Sequence, residues 1–321
     1  MYEAGLRQVA TPPQRAAMAQ DIAVANRGFS KRDPIPESID KENVVGGRWA
    51  LGEKIGEGGM GSVFSATDLW TGNVVVVKLE AHYGYEGLGY EGSKRSFIRE
   101  AIALSRLSGK NIVRLAGSGS HDGREYIAME HVEGDTLESE IRPYTPLDRK
   151  IAKEALLQIC DALQGVHEKD MAHGDVKPAN IVLKVDDSGK VNATLLDFGN
   201  VRFLVPFEGV PTLVDEEMCS GSPTYMAPEQ LDGPGDQRVD IYSLGIVMYQ
   251  ALTGINPFDS WVRPMPGVYE AVGRYTPPAP STLTEGISQS TDSLVMRAME
   301  KDPSKRFQTI GEMRAAIEAA F

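Results

Sequence analysis

The run His173-Gly174-Asp175-Val176-Lys177-Pro178-Ala179-Asn180, followed by Asp197-Phe198-Gly199, sets four functional side chains at a spacing suited to in-line phosphoryl transfer. Such a reaction asks little covalent chemistry of a protein. It needs a carboxylate to orient the attacking hydroxyl, a cation near the moving phosphate and oxygen ligands for a divalent metal. Asp175 fits the carboxylate, Lys177 the cation, and Asn180 and Asp197 the metal ligands. Each of these alone would also suit a turn in a Gly/Pro-containing loop, but that reading leaves the set unexplained. His173, preceded by Met171-Ala172, reads as a packed residue that holds the loop rather than as a base.

Two further constellations belong to the same chemistry. Gly56-Glu57-Gly58-Gly59-Met60-Gly61-Ser62-Val63 lies between two strand patterns, so its glycines can bring backbone N–H groups close to phosphate oxygens. A dinucleotide fingerprint would continue into a helix, whereas Val63-Phe64 continues as a strand, which favours a flap over a mononucleotide. Lys78 ends the apolar run Val74–Val77, and Glu100 falls in the next helical pattern. Their pairing would hold an ammonium toward phosphate, against the plainer readings of a solvated strand end and a surface helix residue.

The elements that must position these residues follow from periodicity. Alternating and β-branched residues mark strands at 49–56, 62–66 and 74–79, with further strands at 112–115 and 126–129. Helical spacing marks 93–107, 151–167, 239–252 and 310–320. The near-repeat Gly84-Tyr85-Glu86-Gly87 and Gly89-Tyr90-Glu91-Gly92 reads as a mobile loop. Residues 1–45, with four prolines and few aromatics, read as a flexible or docking extension. The expected organisation is an α+β chain: a small antiparallel β-rich lobe over about 46–132 and a larger helical lobe over about 133–321.

Composition narrows the partners. A net charge of -12 over 321 residues argues against a general nucleic-acid or anionic-membrane binder and favours basic protein acceptors. The apolar runs at 73–79 and 244–249 are too short to span a bilayer, and the first residues lack a signal-peptide pattern. Two cysteines, Cys160 and Cys219, in unlike contexts support a reducing cytoplasm and neither a disulfide nor a metal framework.

Taken in order, Gly56/Gly58/Gly61, Lys78, Glu100, the loop from His173 to Asn180, Asp197-Phe198-Gly199 and Ala227-Pro228-Glu229 resemble the protein kinase family, in its bacterial Ser/Thr-specific branch. The resemblance covers 49–321 and implies a two-lobed kinase-like fold that uses ATP with Mg²⁺ or Mn²⁺. It implies that Val63 and Val76 line the adenine pocket with Met129 at its back, and that Glu130 and Val132 offer backbone hydrogen bonds to the base. It further implies that Asp240 braces the loop, that Arg306 pairs with Glu229, and that the acceptors are Ser or Thr of proteins, the chain itself among them. Three positions depart from the family pattern. Gly174 stands where arginine is usual, Val76 replaces a smaller alanine, and 200–220 is unusually apolar. Ser222 holds the usual threonine position of the acceptor-docking loop, with a hydroxyl able to reach the aspartate. The rival readings are a scaffold that has lost the chemistry, disfavoured by the complete residue set, and a small-molecule kinase, disfavoured by Ala227-Pro228-Glu229.

Overall fold

The structure is a computed structural model that describes residues 43–58, 61–81, 88–141, 143–205, 222–233, 235–259 and 266–321. Its described residues fall into two compact units. One takes in those up to Arg106 together with Arg114–His131; the other takes in Leu107–Val113, Val132–Val205 and those after Leu213.

In the first unit, β1 (Val44–Val45), β2 (Trp49–Gly58), β3 (Gly61–Asp68), β4 (Val74–Glu80), β5 (Leu115–His121) and β6 (Arg124–Glu130) form one antiparallel sheet in the order β1-β2-β3-β4-β6-β5, and helix α1 (Leu88–Arg106) precedes β5. Residues 44–45, assigned above to the extension, are thus an edge strand of the sheet. The pleat sorts side chains by alternation. Val75, Val77, Ala66 and Ala128 fall on one face and make a core with Val45 and Trp49. Val63, Val76, Lys78 and Met129 fall on the other. Arg48 fixes the entry of the chain: it is paired with Asp68 at 2.7 Å and stacked on the rings of Trp49 and Trp70 at 4.0 and 4.2 Å.

Helix α1 buries Phe97, Ala101 and Leu104, an i, i+4, i+7 stripe. Its first turns include 88–92, so the second half of the Gly/Tyr repeat is helical rather than loop; 84–87 lie outside the described residues. The expected strand at 112–115 is also corrected. Ile112 makes a single parallel bridge with Leu195, and the strand proper starts at Leu115.

In the second unit, β7 (Asp135–Thr136) leads into the single turn α2 (Leu137–Glu140), followed by α3 (Arg149–His167), β8 (Met171–Ala172), β9 (Ile181–Val185), β10 (Val191–Leu195), β11 (Arg202–Phe203), α4 (Arg238–Thr253), α5 (Pro266–Arg274), α6 (Gln289–Ala298) and α7 (Ile310–Ala320). Asp148 starts α3 by accepting the N–H groups of Lys150 and Ile151. Fourteen of the sixteen residues of α4 are buried, as expected of a helix that is apolar around most of its circumference and forms the centre of a unit. β10, β9 and β7 form a three-stranded sheet, and β11 pairs with β8. Of the apolar segment 200–220, Val201 is buried and 202–203 form β11, while 206–220 lie outside the described residues.

Arg306 ties the end of this unit to its middle. Its Nη1 and Nη2 meet Glu229 Oε1 and Oε2 at 2.6 and 2.7 Å, and its remaining donors reach the carbonyls of Glu300, Arg238 and Lys301. All five N–H donors of the guanidinium are therefore used. Arg306→Met leaves those acceptors and one carboxylate without a partner, and urea denaturation should show a loss of about 3–5 kcal/mol. A loss under about 1 kcal/mol would overturn this account of the pair.

Candidate active site

The second unit carries the loop from His173 to Asn180. β8 delivers the chain to His173, and a buried carboxylate receives it. Asp240, in the first turn of α4 and wholly enclosed, accepts the His173 N–H through Oδ2 and the Gly174 N–H through Oδ1, both at 2.9 Å. His167 Nε2 lies 2.9 Å from the same Oδ2. Burial alone would raise the Asp240 pKa. The His167 hydrogen bond and charge and the Gly174 amide outweigh it and hold the group below the ordinary carboxylate range. The Gly174 carbonyl is held as well, by Gln230 Nε2 at 3.3 Å, while Gln230 Oε1 accepts the Ala227 N–H.

Gly174 has φ +80°, and a Cβ there would stand 2.6 Å from the Asn200 carbonyl oxygen. Glycine is what this position accommodates without displacement. His173 is held in the neutral tautomer its contacts require: Nδ1 accepts the Asp175 N–H at 3.3 Å, so Nε2 donates to the Leu196 carbonyl at 2.9 Å. Its ring meets Phe198 edge-on at 4.8 Å. Its role is to hold the loop.

The loop so held presents Asp175, which is buried; its Oδ2 accepts Lys177 Nζ at 2.8 Å and its Oδ1 the backbone N–H of Ser222 at 3.0 Å. Lys177 Nζ also meets Ser222 Oγ at 2.7 Å. The docking-loop serine therefore touches the aspartate through its amide, and its hydroxyl goes to the lysine; the expectation that the hydroxyl reaches the aspartate is corrected. Asn180 donates Nδ2 to the Asp175 carbonyl at 2.9 Å, leaving Oδ1 for other work. The hairpin of β9 and β10 pairs Ile181 with Leu195, and the Leu196 N–H reaches the Asn180 carbonyl at 2.8 Å. That puts Asn180 and Asp197 side by side at the open end of one hairpin. Asp197 sits at φ +54°, a conformation that costs a non-glycine residue energy. Among the described residues no cluster of three or more His, Cys, Asp or Glu could hold a metal. A two-oxygen site is what Mg²⁺ accepts when phosphates and water complete its shell, so the residues present fit that ion.

In the first unit, Lys78 Nζ meets Glu100 Oε2 at 2.8 Å, with Glu100 fully buried in α1. Phe97, three residues earlier on the same helix face, places its ring 5.5 Å from the ammonium. Val63 stands opposite Lys78 and Val76 opposite Met129, all on one face of the sheet. Gly56 pairs with Val63 and Gly58 with Gly61 at the β2–β3 turn. Gly61 has φ +152°, where a Cβ would lie 2.2 Å from the Leu79 carbonyl oxygen. The Glu130 N–H is committed to the Arg114 carbonyl at 2.9 Å, and Val132 is half-buried in the second unit.

Residues 49–318 match the family profile described as protein kinase domain. The chain belongs to the protein kinase family. This kinase domain is 34% identical to a probable serine/threonine-protein kinase of Clostridium perfringens over 86% of this chain and 38% of that protein. It is 36% identical to the serine/threonine-protein kinase PknB of Mycobacterium tuberculosis over 84% of this chain and 42% of that protein. It is 31% identical to the serine/threonine-protein kinase Pkn1 of Myxococcus xanthus over 94% of this chain and 42% of that protein. The chain thus spans about two fifths of the length of these relatives. Gln230 and His167 carry parts of the loop's support that the motif reading did not name. Neither stands out in the sequence: Gln230 lies between Glu229 and Asp232, and His167 precedes Glu168-Lys169-Asp170.

Asp240→Asn tests the brace. Because its pKa is depressed on folding, the contribution of Asp240 is present above about pH 4, the unfolded value, and is lost as pH falls through the folded value. Urea curves should therefore separate wild type from the variant by about 3 kcal/mol at pH 7 and bring them together in acid. A gap that does not narrow with falling pH would contradict the assignment.

Proposed function

We propose that this domain transfers the γ-phosphoryl group of ATP to serine or threonine hydroxyls of proteins, in a reducing cytoplasm. The observation that carries the reading is Asp175, buried, fixed through its neighbours by Asp240, and joined to Lys177 and Ser222. The acceptor oxygen attacks the γ-phosphorus, the bond from that phosphorus to the β-γ bridging oxygen breaks, ADP leaves, and the hydroxyl proton passes to Asp175. Lys177 offsets charge on the moving group. Lys78, oriented by Glu100, serves the α- and β-phosphates, and Gly56, Gly58 and Gly61 offer backbone N–H groups. Asn180 and Asp197 would hold Mg²⁺ or Mn²⁺, which when bound neutralises phosphate charge. Val63, Val76, Met129, Glu130 and Val132 take the adenine.

The protein acceptor is supported by the Ser222–Lys177 contact, which ties the docking loop to the reacting groups. A scaffold without chemistry has no use for an enclosed Lys78–Glu100 pair and a fixed Asp175 together.

Labelled γ-phosphate from Mg-ATP should appear on Ser or Thr of a generic basic protein and of the chain itself. Asp175→Asn should lower the rate about 10²–10⁴-fold, and Lys78→Met should cause a comparable loss. Equal labelling by wild type and Asp175→Asn would overturn the role of Asp175. Since Gly174 offers no guanidinium to read a phosphate, phosphatase treatment should change activity by less than about twofold, under about 0.4 kcal/mol in barrier. A large loss would refute the independence.

A further inference from the structure

Tyr242, in the first turns of α4, is wholly buried, and its hydroxyl meets one partner among the described residues: Lys301 Nζ, 2.9 Å away. Burial pushes the phenol above its ordinary range, so the proton stays on its oxygen and needs an acceptor. An ammonium has three donors and no acceptor. A charged Lys301 therefore gives the phenol oxygen a hydrogen bond but leaves the phenol hydrogen without one, and a buried donor in that state is costly. An uncharged amine removes the cost, because its lone pair accepts the phenol hydrogen.

The surroundings of Lys301 point the same way. Half-buried in the segment after α6, its Nζ stands 4.8 Å from the ring centre of Phe258 and 5.3 Å from that of Tyr242, both fully enclosed. Arg306 lies over the same Tyr242 ring at 4.8 Å and donates Nη2 to the Lys301 carbonyl, so two cations share one ring. Glu229 answers the charge of Arg306, whereas Lys301 makes no ion pair among the described residues. Ring faces attract a cation, as does the exposed Glu300 carboxylate, yet burial first and then the Arg306 charge bring the amine down to about 8. At pH 8 about half of the molecules then carry a free amine, against under about 1% for an ordinary lysine.

We propose that Lys301 is a carbamate site, at which the uncharged amine adds carbon dioxide and the product is held by the Tyr242 hydroxyl beside Arg306. The Nζ lone pair forms a bond to the carbon of CO₂, one C–O π bond becomes the carbamate oxyanion, and one N–H proton passes to water. Carbon dioxide is small and uncharged, so an amine flanked by two aromatic rings admits it where a charged reagent would have to shed its water. The product replaces a like charge beside Arg306 with an opposite one and offers the phenol hydrogen an anionic oxygen. Arg306 in turn holds Glu229, the neighbour of the Gln230 that supports the Gly174 carbonyl. The reversible charge thus sits one ion pair from the segment that anchors the reacting loop. None of this depends on the phosphoryl-transfer reading.

The test uses the full chain equilibrated with isotope-labelled bicarbonate, the carbamate being trapped as its ethyl ester with triethyloxonium and located by peptide mass spectrometry. At pH 8 the Lys301 peptide should carry label at least about tenfold above the peptides of the exposed Lys190 and Lys305, which serve as internal references. At the same dissolved CO₂, lowering the pH to 6 should reduce that label more than about tenfold, because protonation removes the lone pair. In urea the Lys301 label should fall to the level of the references, which ties it to the folded surroundings. Lys301→Arg should lose the label. Tyr242→Phe keeps the ring and removes the hydroxyl, and should lower occupancy about fivefold. Label at Lys301 no greater than at Lys190 and Lys305, or equal in folded and unfolded chain, would overturn the site, and full occupancy in Tyr242→Phe would overturn the part given to the hydroxyl. Since wild type alone supplies the folded-against-unfolded comparison, a variant that fails to fold leaves the test intact.

Discussion

A carboxylate with no exposure to water holds the reacting loop in place. Asp240 is expensive to bury, and it is stable there because three donors converge on its two oxygens: the amides of His173 and Gly174 and the His167 ring. Those amides belong to the residues immediately before Asp175. Charge-assisted bonds to backbone N–H groups fix the main chain, so the aspartate that follows has little freedom left to lose. From there the order spreads outward. His173 fixes Leu196, Asn180 fixes the Asp175 carbonyl, and Lys177 links the loop to Ser222.

This arrangement explains why glycine is compatible with the position before Asp175. Its amide, its carbonyl and the space over its α-carbon are all claimed, by Asp240, Gln230 and the Asn200 carbonyl respectively. The backbone there is a fitted part. A side chain would have to enter against a main-chain oxygen, the kind of obstacle that does not swing aside.

Much of the site was legible because its residues are close in sequence and chemically unusual. Asp175, Lys177 and Asn180 lie within one loop, and Lys78 ends a strand where only its charge departs from the apolar run. The Lys78–Glu100 pair needed one long-range inference, and the structure supplies it at 2.8 Å. Less legible were features decided by the backbone. Ser222 was read by its hydroxyl, yet its amide is what reaches Asp175. The strand expected at 112–115 failed because a short apolar run fits a buried connector as well as a strand. Leu88–Gly92 read as loop on account of glycine, whose helical cost of about 1 kcal/mol per residue is overridden once a helix is anchored elsewhere. Gln230 could not be found by motif, since its role is to satisfy main-chain atoms distant in sequence.

The β9–β10 hairpin separates two things that loops usually couple. Its open end fixes the spacing of Asn180 and Asp197 by strand pairing, and its closed end, the turn held by Asp186 through the Ser188 and Lys190 amides, lies five paired rungs away. Length and sequence at that turn are therefore mechanically isolated from Asn180 and Asp197, the proposed metal ligands. Insertions, a fluorophore or an affinity handle placed there would be carried by the hairpin without altering the distance between the two oxygens, which makes it the natural point of attachment on this domain.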